Sequence, residues 1–154
     1  MAFVHTQELI NNALSYEEYC AGIQEQLEQT AYEESAQRMQ QQLEHFASLM
    51  EKYERSYQLT ATLKEALQAA PPATWLVISE ASCGDAAFNL PMLSVIEKAL
   101  PEQVRLRIVL RSSQPELMEA YMTNGSRAIP KMIALSEDLR ELGTWDQDRQ
   151  VCRH

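Results

Sequence analysis

A short segment of the chain joins a thiol to the start of a predicted helix. The stretch SEASCGDAAFNLP, residues 79–91, is a turn of small and polar residues between an apolar run and a helical pattern, and it contains Cys83. Unpaired backbone N–H groups and the positive end of a helix dipole favour a thiolate over a thiol. Cys83 is therefore a candidate nucleophile with a lowered pKa. The alternative is a small residue that fits a turn.

Other chemistries lack the residues that they need. No cysteine or carboxylate stands at the spacing of a zinc site near the three histidines, which are far apart in the sequence: His5, His45 and His154. The chain contains no GxxxxGK or GxGxxG loop for phosphate groups and no GxSxG turn for a serine nucleophile. We therefore expect no metal and no cofactor.

Composition and charge narrow the class of protein. The net charge of the 154 residues is −9 and no basic cluster is present, so nucleic acid is not an expected partner. No apolar stretch reaches the roughly 18 residues of a membrane span, so no membrane is expected either. The N-terminal residues do not resemble a secretory signal, and an odd number of widely spaced cysteines is typical of reduced thiols: Cys20, Cys83 and Cys152. We expect a cytoplasmic protein with one compact domain.

Residues 1–70 are predicted to form an N-terminal helical extension. Residues 7–69 contain no proline and a single glycine, and they are rich in Glu, Gln, Ala and Leu. Ser15 followed by Glu18 has the pattern of a capping box and predicts a helix that ends near Gln29. Apolar residues at alternating steps of four and three then predict a long helix with one buried side: Met39, Leu43, Phe46, Met50, Tyr53 and Tyr57. Either an intrachain helical pair or a homodimer through the N-terminal helices would bury this stripe.

Residues 71–145 are predicted to alternate strands and helices. The run AAPPAT ends the helical part, because consecutive prolines cannot continue a helix. The patterns that follow are a strand at 75–79, a helix at about 85–100, a strand at 104–110, a helix at 114–125, a strand at 131–135 and a hairpin partner at 140–145. This order implies parallel crossovers among the first three strands and a mixed α/β sheet. Residues 146–154 are predicted to be a tail, in which Cys152 is an incidental thiol or, alternatively, a distant resolving cysteine.

Several motifs resemble those of the thioredoxin superfamily. SCGDA after a strand, a helix that Pro91 interrupts, and AIP before a hairpin form this resemblance over about residues 74–145. The segments SYEEY, SCGDAAFNLPML, MTNGSRAIPKMIAL and LGTW resemble, more narrowly, a bacterial branch with a WCGDA-type motif after an N-terminal helical extension. The resemblance implies a thioredoxin-like fold. We expect its C-terminal helix to be missing or vestigial, and the N-terminal helices to cover that face of the sheet.

The resemblance also implies a site. Cys83 matches the nucleophilic cysteine of the family's CxxC motif, and Pro130 matches a cis-proline that faces it. A cis X–Pro bond exposes the backbone of the preceding residue, Ile129, to which an extended substrate can add hydrogen bonds. The residues beside the thiol complete the expected substrate-binding set: Ser82, Gly84 and Asp85. Arg127 and Lys131 flank the proline turn and could lend it positive potential.

Departures from the family pattern leave two functions open. Ala86 replaces the resolving cysteine, Ser82 replaces the usual tryptophan, and Asp85 opposes a lowered Cys83 pKa. One function is a monothiol thiol–disulfide oxidoreductase that acts on a disulfide-containing protein or a glutathione-type small thiol, with an external thiol releasing the product. The alternative is a redox-inactive binding or self-association module. A strongly lowered Cys83 pKa would favour the first, and an ordinary pKa the second.

Overall fold

A computed structural model describes residues 3–81, 83–122 and 124–146 of the chain. Within these ranges the helices are α1 Gln7–Asn12, α2 Tyr16–Thr30, α3 Gln37–Ser56, α4 Ala61–Ala69, α5 Gly84–Ala99 and α6 Pro115–Ala120. The strands are β1 Ala73–Ser79, β2 Val104–Leu110, β3 Lys131–Leu135 and β4 Glu141–Asp146. The predicted order of strands and helices in the second half of the chain is therefore confirmed.

Helix α2 begins with the predicted capping box. The Ser15 Oγ accepts the Glu18 N–H at 3.1 Å, and the Glu18 Oε1 accepts the Ser15 N–H at 2.9 Å. These two bonds satisfy backbone donors that the first turn of a helix otherwise leaves unpaired. The helix continues to Thr30, close to the predicted end.

The four strands form one mixed sheet in the order β2-β1-β3-β4. β1 and β2 are parallel, whereas β3 is antiparallel to both β1 and β4. The mixed sheet is confirmed, but the predicted parallel crossover into β3 is wrong. Helix α6 has only six residues, about 9 Å, and cannot return along a strand of about 23 Å. Leu110 pairs with Ser79, and Lys131 pairs with the adjacent Ile78. The chain therefore enters β3 at the same end of the sheet at which it left β2.

Two helices differ from their predicted course. Helix α5 runs without interruption through Pro91, so the predicted break is wrong. A proline inside a helix removes one N–H donor and crowds the carbonyl four residues earlier, but here the helix continues on both sides of it. Helix α6 ends at Ala120 rather than near Gly125, because the Tyr121 N–H bonds to the Met118 carbonyl and tightens the last turn. Gly125 instead takes a left-handed φ of 78° in the loop that follows.

Each face of the sheet is covered by helices. On one face, α2, α3 and α5 pack on β1 and β2, with a core that includes Tyr19, Ile23, Leu43, Met50, Val77, Leu90, Leu93, Leu106 and Ile108. On the other face, α1 and α6 pack on β1 and β3, with a core that includes Ile10, Ala13, Ile78, Leu117, Met118, Ile133 and Leu135. The N-terminal helices α2 and α3 thus lie on the same face as α5.

The predicted apolar stripe of α3 faces into the chain. Leu43 and Met50 are buried, and Phe46 packs against the same core, whereas Met39 is 54% exposed. Packing within the chain therefore covers the middle of the stripe. Tyr53 contacts the ring of Phe88 on α5 edge to face, with centroids 4.7 Å apart. A homodimer through these helices stays a prediction.

The segment between α1 and α2 also forms backbone hydrogen bonds with the sheet. The Leu14 N–H donates to the Ile108 carbonyl at 2.7 Å, and the Ile108 N–H donates to the Leu14 carbonyl at 2.8 Å, which extends the sheet beside β2. At the opposite edge, β4 extends past 145 to Asp146, whose Oδ2 accepts from the buried Lys131 Nζ at 3.0 Å. The division into 1–70, 71–145 and a tail stays a prediction, and 147–154 lie outside the described residues.

A helix that crosses a membrane must be long and apolar. Within the described ranges, each helix is either too short or too polar to cross a bilayer.

Candidate functional site

Cys83 lies at the carboxyl end of β1, immediately before α5. Its backbone is extended at the N-cap position, and its N–H donates to the Glu80 carbonyl at 3.1 Å, which closes the turn after the strand. The Cys83 Sγ accepts the Ala86 N–H at 3.4 Å. The side chain is half-buried. The sulfur therefore caps the first turn of the helix, and the residue as a whole stays partly exposed.

The proline loop comes to the same edge of the sheet. The Ile129–Pro130 peptide bond is cis, and the Cys83 Sγ lies 3.6 Å from the Ile129 carbonyl oxygen, to which the thiol donates. Because β3 begins at Lys131 beside the end of β1, the residues just before it necessarily lie near the turn that holds Cys83. The structure thus brings Cys83, Ile129 and Pro130 together.

The other residues predicted for the site differ in their exposure to solvent. Gly84 and Asp85 are exposed in the first turn of α5. A Cβ on Gly84 would lie 3.4 Å from two ring carbons of Phe46, which is van der Waals contact, so α3 packs beside the start of α5. Ala86, at the position of the missing second cysteine, is buried. Ser82 lies outside the described residues.

The pKa of Cys83 differs from expectation. Burial raises the pKa of the thiol above its ordinary value, and this effect outweighs the backbone N–H groups of Ala86 and Asp85, which lower it. The Asp85 carboxylate raises the pKa further, whereas the Arg111 guanidinium lowers it. The predicted lowering is therefore wrong, because a half-buried sulfur loses more solvation as a thiolate than the helix start returns.

The two basic residues predicted to lend positive potential to the proline turn form ion pairs with other side chains. Arg127 forms an ion pair with Glu119 of α6, and Lys131 forms a buried one with Asp146 at 3.0 Å. Arg111, which follows the last residue of β2, is instead the cation whose charge acts on Cys83. Its role was not among the predictions from sequence. The rule that groups gather beyond the carboxyl ends of parallel strands could have identified it.

Tyr19 is a second residue near the site to which the sequence analysis gave no role. Its hydroxyl donates to the Glu80 carbonyl at 2.8 Å and lies 3.3 Å from the Ser79 Oγ. The side chain is buried, and burial raises the pKa of its phenol, which keeps the donor proton in place. Tyr19 thus anchors the turn that carries Cys83 to helix α2. It belongs to the SYEEY segment, so a signal for it was present in the sequence.

The other cysteine that the structure describes, Cys20, lies apart from this site. Cys20 is free and half-buried on α2, and burial raises its pKa. It lines a cavity of about 300 Å³ between α2 and α3. Cys152 lies outside the described residues. Over the part of the chain that the structure describes, no three His, Cys, Asp or Glu side chains are grouped as metal ligands would be.

Comparison with known proteins identifies the family. The family model for thioredoxin matches residues 26–153. The chain belongs to the thioredoxin family. The match covers both the SCGDA turn and the helices α3 and α4 before it, so the extension lies largely within this thioredoxin-family match. A comparison with curated proteins finds no match.

Solved structures agree on the fold of this thioredoxin-family chain. A protein of unknown function from Pseudomonas aeruginosa is similar with a TM-score of 0.62 at 19% identity, over 94% of this chain and 77% of that one. An HIV epitope scaffold is similar with a TM-score of 0.63 at 22% identity, over 94% and 78%. At such identities the likeness shows the fold alone. The predicted thioredoxin-like α/β fold is confirmed, whereas the bacterial WCGDA-type branch stays a prediction.

Proposed function

We propose that the chain is a monothiol thiol–disulfide oxidoreductase with Cys83 as its nucleophile. One observation carries this proposal: the Sγ of the half-buried Cys83 caps α5 and lies 3.6 Å from the Ile129 carbonyl, next to Pro130. A disulfide that approaches the thiol there also meets the backbone of the proline loop. Backbone groups can hold an extended substrate in a defined direction.

The proposed reaction is an exchange in two steps. The Cys83 thiolate attacks one sulfur of a substrate disulfide, a bond forms between them, and the other substrate sulfur leaves as a thiolate. A glutathione-type thiolate then attacks the substrate sulfur of this mixed disulfide and releases the Cys83 thiolate. The substrate's leaving sulfur is reduced, and the small thiol is oxidised to a new mixed disulfide. Because Ala86 occupies the position of the motif's second cysteine, we expect an external thiol to perform the second step.

The raised pKa of Cys83 acts against this proposal, which therefore rests on the contact between the Sγ and the proline loop. The same pKa sets the rate that the proposal predicts. At neutral pH most of the thiol is protonated, so exchange is slower than a helix start alone would suggest. A thiolate of higher pKa is also the stronger nucleophile, which offsets part of this loss. We therefore expect exchange that accelerates steadily as the pH rises above neutral.

The proposed substrates are a disulfide-containing protein or the disulfide of a glutathione-type small thiol, and the proposed setting is the cytoplasm. Gly84 and Asp85 are exposed beside the thiol and would contact the bound substrate. The backbone of the half-buried Ile129 would contact it from the opposite side, whereas Pro130 is buried and would position that backbone. The place of Ser82 in this set follows from its position before Cys83 alone.

A variant with a single cysteine tests the proposal. Cys20→Ser with Cys152→Ser leaves only Cys83, and incubation with oxidised glutathione at pH 8.5 should add one glutathione, which intact-mass spectrometry detects. Reduced glutathione should remove it. The matched variant that keeps only Cys20 should remain largely unmodified, because that thiol lies between α2 and α3, away from the proline loop, and burial and the carboxylates of Glu54 and Glu17 raise its pKa. If the folded Cys83 variant stays unmodified and reacts only in denaturant, the redox proposal is wrong and the binding module remains.

A further inference from the structure

An open cleft of about 520 Å³ adjoins the surroundings of the thiol. Its lining includes Glu80, whose carbonyl closes the Cys83 turn, and Arg127 of the proline loop. Arg111 and Met118 line it from the segment between β2 and β3. The cleft is thus bounded by the same loops that bring Cys83 and Pro130 together.

Both carboxylates of the cleft already have partners. The Glu80 Oε1 accepts the Ser112 N–H at 2.7 Å. Glu119 forms an ion pair with Arg127, which uses the charge of that arginine. Neither carboxylate pairs with Arg111 among the described residues.

The guanidinium of Arg111 is therefore the group in the cleft with capacity for a ligand. Its Nη1 donates to the Arg127 carbonyl at 3.1 Å, which holds the side chain across the cleft. A guanidinium has five N–H donors in a planar fork that fits a carboxylate. The side chain is half-buried, so part of its ordering cost is met before a ligand arrives.

The sheet places this arginine close to the reacting sulfur. Arg111 follows Leu110, which is the partner of Ser79 at the end of β1. The two chain segments that carry Arg111 and Cys83 therefore leave neighbouring parallel strands at one edge. The positive charge of Arg111 acts on the thiol and favours its thiolate.

We propose that Arg111 binds a carboxylate of a small acidic disulfide in this cleft, while Cys83 attacks the sulfur of that disulfide. This inference rests on the proposed function and names its substrate class. The acidic groups near the site, Asp85 above all, and the net charge of −9 act against any anion at long range. The preference must therefore come from direct contact with the guanidinium, and it is best measured at about 0.15 M salt, where charges beyond about 8 Å are screened.

Three small disulfides of similar size test this substrate class. The single-cysteine variant with Cys83 is mixed with an anionic disulfide (3,3′-dithiodipropionate), a neutral one (2-hydroxyethyl disulfide) and a cationic one (cystamine), and the rate of mixed-disulfide formation is measured for each. The anionic compound should react faster than the neutral one. Arg111→Gln should lower the ratio of these two rates by about five- to tenfold. The ratio cancels any change in the Cys83 pKa, because both compounds meet the same thiol.

Two further variants sharpen the result. Arg111→Lys keeps the charge without the fork and should give an intermediate ratio. Arg105→Gln alters an exposed arginine near the other end of β2 and should leave the ratio unchanged. If the neutral disulfide reacts but Arg111→Gln does not alter the ratio, the inference about Arg111 is overturned and the proposed function stands. If none of the three compounds reacts with Cys83, the proposed function itself fails, and the inference with it.

Discussion

The Cys83 thiol is held between groups that favour its charged form and an environment that disfavours it. The first turn of α5 offers it backbone N–H groups, and the Sγ accepts from Ala86 at 3.4 Å. Burial nevertheless raises the pKa above its ordinary value, and the carboxylate of Asp85 adds to this effect. The balance makes the thiol less reactive at neutral pH. Removing one unfavourable neighbour should therefore increase its reactivity.

Asp85→Asn should lower the pKa of Cys83. The substitution removes a negative charge near the sulfur, so the thiolate becomes more stable, and alkylation by iodoacetamide at pH 7.5 should accelerate about threefold. The rate is measured against pH in the single-cysteine variant. Without the substitution, the midpoint should lie above about 8.5, the value for an ordinary cysteine. A midpoint at or below that value would contradict the dominant effect of burial. Asp138→Asn, in the exposed turn between β3 and β4, should change nothing.

The site was predictable from sequence where it depends on chain order. The strand before Cys83 and the strand after Pro130 are clear patterns, and adjacent strands bring these two residues to one edge. The direction in which the Cys83 pKa shifts from its ordinary value was not predictable, because it depends on how far the sulfur is buried. That depth depends on packing between elements distant in sequence, because Cys83 packs against the same core as Phe46 of α3. The role of Arg111 also needs the structure, since its direction cannot be read from its position.

At the scale of elements, the connection from β2 to β3 determines where the proline loop lies. A helix over 114–125 would have been long enough to carry the chain most of the way back along the sheet. The helix stops at Ala120, and the loop after it stays beside the end of β1. The sequence indicates a helix here but not its length, because Tyr121 ends it through a tight backbone bond to Met118 and not through a glycine or proline. The direction of β3, and so the sheet's mixed pairing, follows from that length.

The capping box of α2 should contribute measurably to stability. Ser15→Ala removes the side-chain acceptor of the Glu18 N–H and should lower the free energy of unfolding by about 1 kcal/mol. Urea unfolding followed by circular dichroism measures the change. Ser48→Ala, at an exposed position within α3, is the control and should be neutral or slightly stabilising. Equal effects of the two substitutions would show that the cap does not stabilise α2.

At the scale of the whole molecule, the N-terminal helices contribute to the cores on both faces of the sheet. Ile10 and Ala13 belong to one core, and Tyr19 and Leu43 belong to the other. Composition shows a change near residue 70, which separates helix-rich from strand-rich sequence. The composition does not show which surfaces of the two parts contact each other. We expect the two parts to unfold together, because α5 and α6 each share their face of the sheet with helices of the first 70 residues.

Leu43→Ala tests this coupling. The side chain is 1% exposed, and its truncation should cost about 2–5 kcal/mol. Both tryptophans, Trp75 and Trp145, lie in the sheet, so their fluorescence reports on the strands while circular dichroism at 222 nm reports mainly on the helices. Both signals should shift to lower urea by the same amount. A shift in circular dichroism alone would show that the helical part unfolds separately. Met39→Ala, on an exposed part of the same helix, should cause little change.

The short pairing between Leu14 and Ile108 should also hinder the association of one chain with another. Strand β2 is a border of the sheet, and the backbone groups of Ile108 that would otherwise point outward are occupied by the two bonds from Leu14. A border with free backbone groups is a template on which a foreign strand can add, and such addition starts aggregation. A chain trimmed beyond Leu14 would present that template in every molecule. We expect it to form insoluble assemblies under conditions in which the longer chain stays dispersed.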